Sequence, residues 1–215
     1  MYLYNDEMEQ LYVHHDMMMP DMPLCCEWIG AAPRTRQAGN WAAVGTLGTD
    51  VELWNLDVLN PTNPHEVLQG VVQDRQPAGM DQNQKKKKKK KKKTKGKTPA
   101  GELGGHADAV LGLAWNSNQV NVLASASADC TVRLWDLNEV RCSAVLRDLH
   151  QSKVQSVSWC PSQATVLATG GFDRSARIAD VRNAAAALRL PLGADVEAMT
   201  WLPGGVQLLI STEEG

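Results

Sequence analysis

Phenylalanine is almost missing from this chain, whose 215 residues hold one Phe and three Tyr. A core of scattered benzyl and phenol rings is thereby excluded. Also missing is any apolar run near the ~18 residues that a membrane-spanning helix needs. No G-x-S-x-G, G-x-x-x-x-G-K-[ST], H-E-x-x-H or glycine-rich dinucleotide loop occurs. Thr169-Gly170-Gly171 reads as a strand-end turn rather than a phosphate cradle, because no helical pattern follows it. Ser, His and Asp do co-occur after Gly105. The expectation is nevertheless a protein that is not an enzyme, with no cofactor, no small-molecule substrate and no membrane partner.

The five cysteines are an odd number without a C-x-x-C pair or histidines at zinc-finger intervals. They read as reduced, mostly buried thiols of an intracellular protein. His14-His15-Asp16 invites a metal reading, but neighbouring side chains of an extended segment point to opposite faces. No further ligand at suitable spacing completes the set, so no metal is expected. Met17-Met18-Met19 reads as partial core filling before Pro20, with an adaptable binding surface as the alternative.

Tryptophan, by contrast, occurs seven times. Trp115, Trp159 and Trp201 are spaced by 44 and 42 residues, within the ~40–45-residue period of a propeller blade. Each ends an alternating apolar segment, such as Val154-Gln155-Ser156-Val157-Ser158-Trp159. A second apolar run follows each, as in Val122-Leu123-Ala124-Ser125 and Val166-Leu167-Ala168-Thr169. An acidic turn and a third strand complete the pattern: Asp129 then Thr131 to Asp136, and Asp173 then Ser175 to Asp180. Leu24 to Trp28, Asn40 to Gly45 and Val51 to Leu56 repeat the template earlier, and Met1 to Asn5 alternates like the end of a preceding blade. The expected fold is all-β: a partial propeller of about three to four blades of four antiparallel strands.

The charge is as uneven as the aromatics. Of 22 Lys plus Arg, eleven lie at Lys85, Lys86, Lys87, Lys88, Lys89, Lys90, Lys91, Lys92, Lys93, Lys95 and Lys97, leaving 11 basic residues against 24 acidic ones elsewhere. Trp54 to Trp115 spans 61 residues, whereas the matching interval from Trp135 to Trp159 spans 24. The excess of 37 residues, roughly Val67 to Leu103, has no apolar period and reads as a disordered insertion between two blades. Its lysines admit three readings: a nuclear localisation signal, a sequence-independent RNA or DNA phosphate contact, or a tolerated low-complexity expansion. It holds no aromatic residue on which bases could stack.

The expected divisions are 1–23, the end of a preceding blade and a connector; 24–66, a blade; 67–103, the insertion; 104–146 and 147–190, two blades; and 191–215, the start of another. Ser211 to Gly215 aligns with Ala126 to Cys130, just before a third strand. Because such a ring cannot close on about three and a half blades, the chain is expected to be a fragment of a longer protein.

Gly105-His106, Asp129 and Trp135-Asp136 together resemble the WD-repeat family. That resemblance implies a hydrogen-bonded tetrad that ties a blade together, here His106, Ser125 or Ser127, Asp129 and Trp135, with a structural role. His150 and Asp173 repeat part of it, but Ala179 replaces the tryptophan, and Trp54-Asn55 stands where Trp-Asp would. More narrowly, Tyr12 to Met18, Val51-Glu52-Leu53-Trp54-Asn55-Leu56-Asp57, the lysine insertion and Gly105 to Leu111 resemble the periodic tryptophan proteins. This likeness implies a nuclear and nucleolar scaffold in ribosome biogenesis and rRNA processing, with preribosomal proteins as partners. Alternatives are a histone-binding propeller at rRNA genes and a substrate receptor of a ubiquitin ligase.

Overall fold

The computed structural model describes residues 2–5, 9–13, 16–69 and 104–214. It is an all-β chain of antiparallel sheets. Three sheets have four strands each. The first joins β3 (Pro23–Ala31), β4 (Ala38–Thr46), β5 (Val51–Asn55) and β6 (Glu66–Leu68). The second joins β7 (Val110–Trp115), β8 (Val122–Ser127), β9 (Val132–Asp136) and β10 (Arg141–Leu146). The third joins β11 (Val154–Trp159), β12 (Val166–Gly171), β13 (Ser175–Asp180) and β14 (Leu188–Pro191), with a 3-10 turn at Ala184–Ala186 before its last strand. Two-stranded sheets precede and follow them: β1 (Tyr2–Asn5) with β2 (Gln10–Val13), and β15 (Val196–Trp201) with β16 (Leu208–Thr212).

The three four-stranded sheets repeat one register. Trp28 pairs with Ala42 and Ala42 with Trp54; Trp115 with Leu123 and Leu123 with Trp135; Trp159 with Leu167 and Leu167 with Ala179. Every first strand also shifts register just after its opening residue, at Pro23/Cys25, Val110/Gly112, Val154/Ser156 and Val196/Ala198. A bulge recurring at one place is a designed twist in the strand rather than a defect.

The sequence division needs one correction. β6 takes in Val67 and Leu68, which the reading above gives to the insertion. Leu68 is fully buried, so a core position, missed because three residues are too few to show a period, belongs to the blade. The eleven lysines lie outside the described residues.

The core lies between blades. One apolar cluster joins Ile29, Leu53 and Leu68 to Val110, Leu123 and Trp135; a second joins Ala126, Val132 and Leu146 to Val154, Trp159 and Leu167; a third joins Ala168 and Ala176 to Val196 and Met199. The first strands β3, β7, β11 and β15 pack against one another in succession. Gly45 and Gly170 sit at matching positions on second strands, and a Cβ on Gly170 would lie 2.5 Å from Cγ1 of Val196 in the next blade. A Cβ on Gly45 would likewise meet Val110 at 2.7 Å. Glycine at these points lets one blade come up against the next.

Candidate functional site

The polar centre of the second blade is assembled from three elements. His106 lies in the segment leading into β7, Ser125 on β8 and Trp135 on β9, while Asp129 sits in the turn between β8 and β9. Trp135 Nε1 donates to Ser125 Oγ at 2.8 Å; His106 Nε2 lies 2.7 Å from the same hydroxyl, and His106 Nδ1 lies 2.9 Å from Asp129 Oδ2. An indole nitrogen can only donate and a carboxylate can only accept, so Ser125 accepts from Trp135 and the Nδ1 proton of His106 is aimed at Asp129. In the neutral imidazole, which burial favours, Nε2 is left to accept the Ser125 hydroxyl proton. Burial lowers the pKa of His106, against the opposing pull of Asp129. Burial works to raise Asp129, but bonds from His106, Thr131 and the Ala107 amide hold it well below the usual carboxylate range.

Both serines offered by the sequence thus have defined places. Ser125 is the tetrad hydroxyl. Ser127 donates instead to the Asp108 carbonyl at 3.1 Å and accepts from the Asp129 amide, shaping the turn.

The third blade keeps the relay without its tryptophan. His150 Nε2 lies 2.9 Å from Thr169 Oγ1, and His150 Nδ1 lies 2.9 Å from Asp173 Oδ1. Thr169, the last residue of the second apolar run, lies on β12 and supplies the hydroxyl, and Gly170 and Gly171, read as a strand-end turn, continue that strand. Ala179 occupies the tryptophan position.

The first blade solves the same problem differently. Val44 stands where Ser125 and Thr169 stand, and Trp54 Nε1 donates to Glu52 Oε2 at 3.0 Å. Glu52 is buried, and burial raises its pKa although the indole bond works against this. Sequence reasoning missed this acceptor; the i, i+2 spacing that puts Glu52 and Trp54 on one face of β5 was the available signal.

The periodic tryptophans tie blade to blade. Trp159 Nε1 donates to the Ala114 carbonyl at 3.1 Å and Trp201 Nε1 to the Ser158 carbonyl at 3.2 Å, each acceptor being the residue before the preceding blade's tryptophan. Trp115 departs from this: its indole turns to its own Val120 carbonyl at 2.9 Å, and Glu27 takes its backbone amide at 3.0 Å. Burial raises the pKa of Glu27 as well.

The remaining candidates are dispersed. His14 and His15 lie outside the described residues, and among those described no three His, Cys, Asp or Glu side chains gather as a metal set. All five cysteines are free, and burial pushes the Cys25 thiol up to about 12, leaving it protonated. Met17 and Met19 are half-buried, but Met18 is 88% exposed, which corrects the core-filling reading at that residue. An extended segment cannot turn three successive side chains inward.

Comparison with known proteins agrees with this geometry. Residues 97–136 and 141–180 match the family described as WD domain, G-beta repeat. The chain is 38% identical to periodic tryptophan protein 1 of Saccharomyces cerevisiae over 80% of its own length and 29% of that protein. It is 29% identical to the periodic tryptophan protein 1 homolog of Drosophila melanogaster over all of its own length and 42% of that protein. THO complex subunit 3 of Arabidopsis thaliana is 30% identical over 53% of the chain and 36% of that protein. The chain therefore spans less than half the length of these relatives. With matched repeats, a recurring strand register and a tryptophan at the same place in each successive blade, it is a WD-repeat protein.

Proposed function

We propose that this chain serves as a non-catalytic scaffold in the nucleus and nucleolus, holding protein partners during ribosome biogenesis and rRNA processing. The observation that carries the reading is the similarity to periodic tryptophan protein 1 over four-fifths of the chain or more. It is supported by the role of the polar groups in the blades. His106, Asp129, His150 and Asp173 are spent on holding turns and strands, and their hydrogen bonds are made within the blade. The lysine segment, Lys85 to Lys97, serves nuclear import in this reading, with phosphate contact to RNA as its second use.

Affinity purification of the full-length protein tests the scaffold role. Preribosomal particles are expected, with precursor rRNA accumulating on depletion; recovery of nucleosomes or ligase adaptors without preribosomal proteins would overturn it. Imaging a form lacking Lys85 to Lys97 tests the segment: unchanged nuclear entry removes the import role.

A further inference from the structure

Arg133 and Arg177 hold the same register position in successive blades, Arg133 opposite Ser125 and Arg177 opposite Thr169. Their surroundings differ. Arg133 is buried and donates through Nη1 to the carbonyl of Gly104, two residues before His106. The residue two before His150 is Asp148, held at a φ of 62°, and Arg177 makes no corresponding bond. Among the described residues Arg177 has neither a hydrogen-bond acceptor nor a carboxylate partner; its Nε is buried without one, as is that of Arg133, but Arg133 keeps its Nη1 bond. The exposed Arg189 stands directly opposite it on the edge strand β14 and forms no ion pair among the described residues. Like charges opposed across a strand pair repel one another, so the pair gains when an anion enters.

A groove of about 520 Å³ between the second and third blades is lined by Arg177, with Arg189 opposite it on the neighbouring strand. Val145 and Leu146 wall it from the second blade, Leu149, Ala184 and Ala187 from the third, and Arg147 and Arg177 line it together with the exposed Asp148.

We propose that this groove docks an acidic peptide segment of a partner protein, with a side-chain carboxylate held by Arg177 and Arg189 and an apolar side chain seated against Leu149 and the alanines. A guanidinium binds a carboxylate through paired hydrogen bonds, which fixes orientation as well as charge. The apolar walls favour a peptide over a nucleic acid, since no aromatic ring lines the groove to stack a base. Outside the lysine segment the chain carries 24 acidic against 11 basic residues, so a local excess of arginine picks out partners that the rest of the surface repels. The inference rests on the scaffold reading and gives it one partner chemistry.

The test is fluorescence anisotropy of the whole chain with a labelled, end-capped peptide of Glu and Leu. Saturable, salt-sensitive binding is expected, weakened about tenfold or more in Arg177→Gln and in Arg189→Gln. Arg174→Gln, whose exposed guanidinium pairs with Asp195 at 3.7 Å, should leave it unchanged. Because Arg189 is exposed on an edge strand, its substitution preserves the fold, which tryptophan fluorescence verifies. Equal binding of a Gln and Leu peptide, absence of binding, or full binding by both arginine variants would overturn the proposal. So would single-stranded RNA that binds with the same arginine dependence and displaces the peptide. If the peptide fails while preribosomal particles still co-purify, the groove assignment alone is lost; if both fail, the scaffold reading goes with it.

Discussion

Trp54 and Glu52 form a buried indole-to-carboxylate bond of 3.0 Å in the first blade, at the strand position where the second blade joins Trp135 to the hydroxyl of Ser125 at 2.8 Å. The tryptophan is the same; its acceptor has moved from the neighbouring strand to its own. Val44 explains the move, since a valine has nothing to offer an N–H group.

Glu52→Gln retains a neutral acceptor for the indole. Burial raises the Glu52 pKa, so the native carboxylate costs stability at high pH and that cost is relieved as the pH falls through the raised value. Glu52→Gln is therefore expected to be at least as stable as the parent at neutral pH and to lose this part of the pH dependence. Glu52→Ala, which orphans the indole, should lose about 1–3 kcal/mol. Urea unfolding at about pH 7 and about pH 5 measures both. Equal destabilisation by the two variants would show that the bond is not what matters.

Ser125 serves two buried partners and Thr169 one. Ser125→Ala should cost about 2–4 kcal/mol by orphaning both His106 and Trp135, and Thr169→Ala about 1–3 kcal/mol. Ser127→Ala, which loosens a turn, should cost about 1 kcal/mol or less. Denaturant titration of the three gives the ranking, and a Ser127→Ala cost above that of Ser125→Ala would refute the assignment.

Acid should weaken the protein in two stages. His106 and His150 are lowered by burial, so their contribution is complete above the ordinary histidine value of about 6.5 and is lost as the pH falls below it. Asp129 and Asp173 are held low by their hydrogen bonds, so theirs is lost only below the ordinary carboxylate value of about 3.9. Thermal unfolding against pH should show both steps. In an NMR titration His106 should protonate at lower pH than His150, because Trp135 fixes the direction of its hydroxyl partner and Ala179 fixes nothing. The reverse order would contradict the relay.

Gly170→Ala places a methyl group against Val196, and overpacking of this kind costs about 1–3 kcal/mol. Val196→Ala alone leaves a cavity, but the double substitution should recover part of the loss. A double-mutant cycle with purely additive energies would mean that the two blades do not meet there.

What could be read from the sequence follows from which signals are local. The tryptophan period and the strand alternation are properties of one chain segment at a time, so they survive without coordinates. The choice between Ser125 and Ser127 was undecidable because both lie on one face of β8; only pairing with Arg133 puts Ser125 between the histidine and the indole. Glu52 in a strand reads as a solvent-facing charge until Val44 is known to sit opposite it. The Arg177 groove needed the packing of two blades, which no single-strand pattern encodes. Met18 was misread because a short apolar run says nothing about which of its members turns inward.

The indole bonds between blades also bear on how the chain assembles. Trp159 needs a carbonyl at Ala114 and Trp201 one at Ser158, so each acceptor belongs to a blade that leaves the ribosome earlier than its donor. For these two indoles the docking carbonyl is already in place when the tryptophan is made, although other bonds, such as Asn116 to the Ala164 carbonyl, are completed only when the later blade arrives. Folding can then keep pace with translation, adding one blade at a time from the N-terminal side.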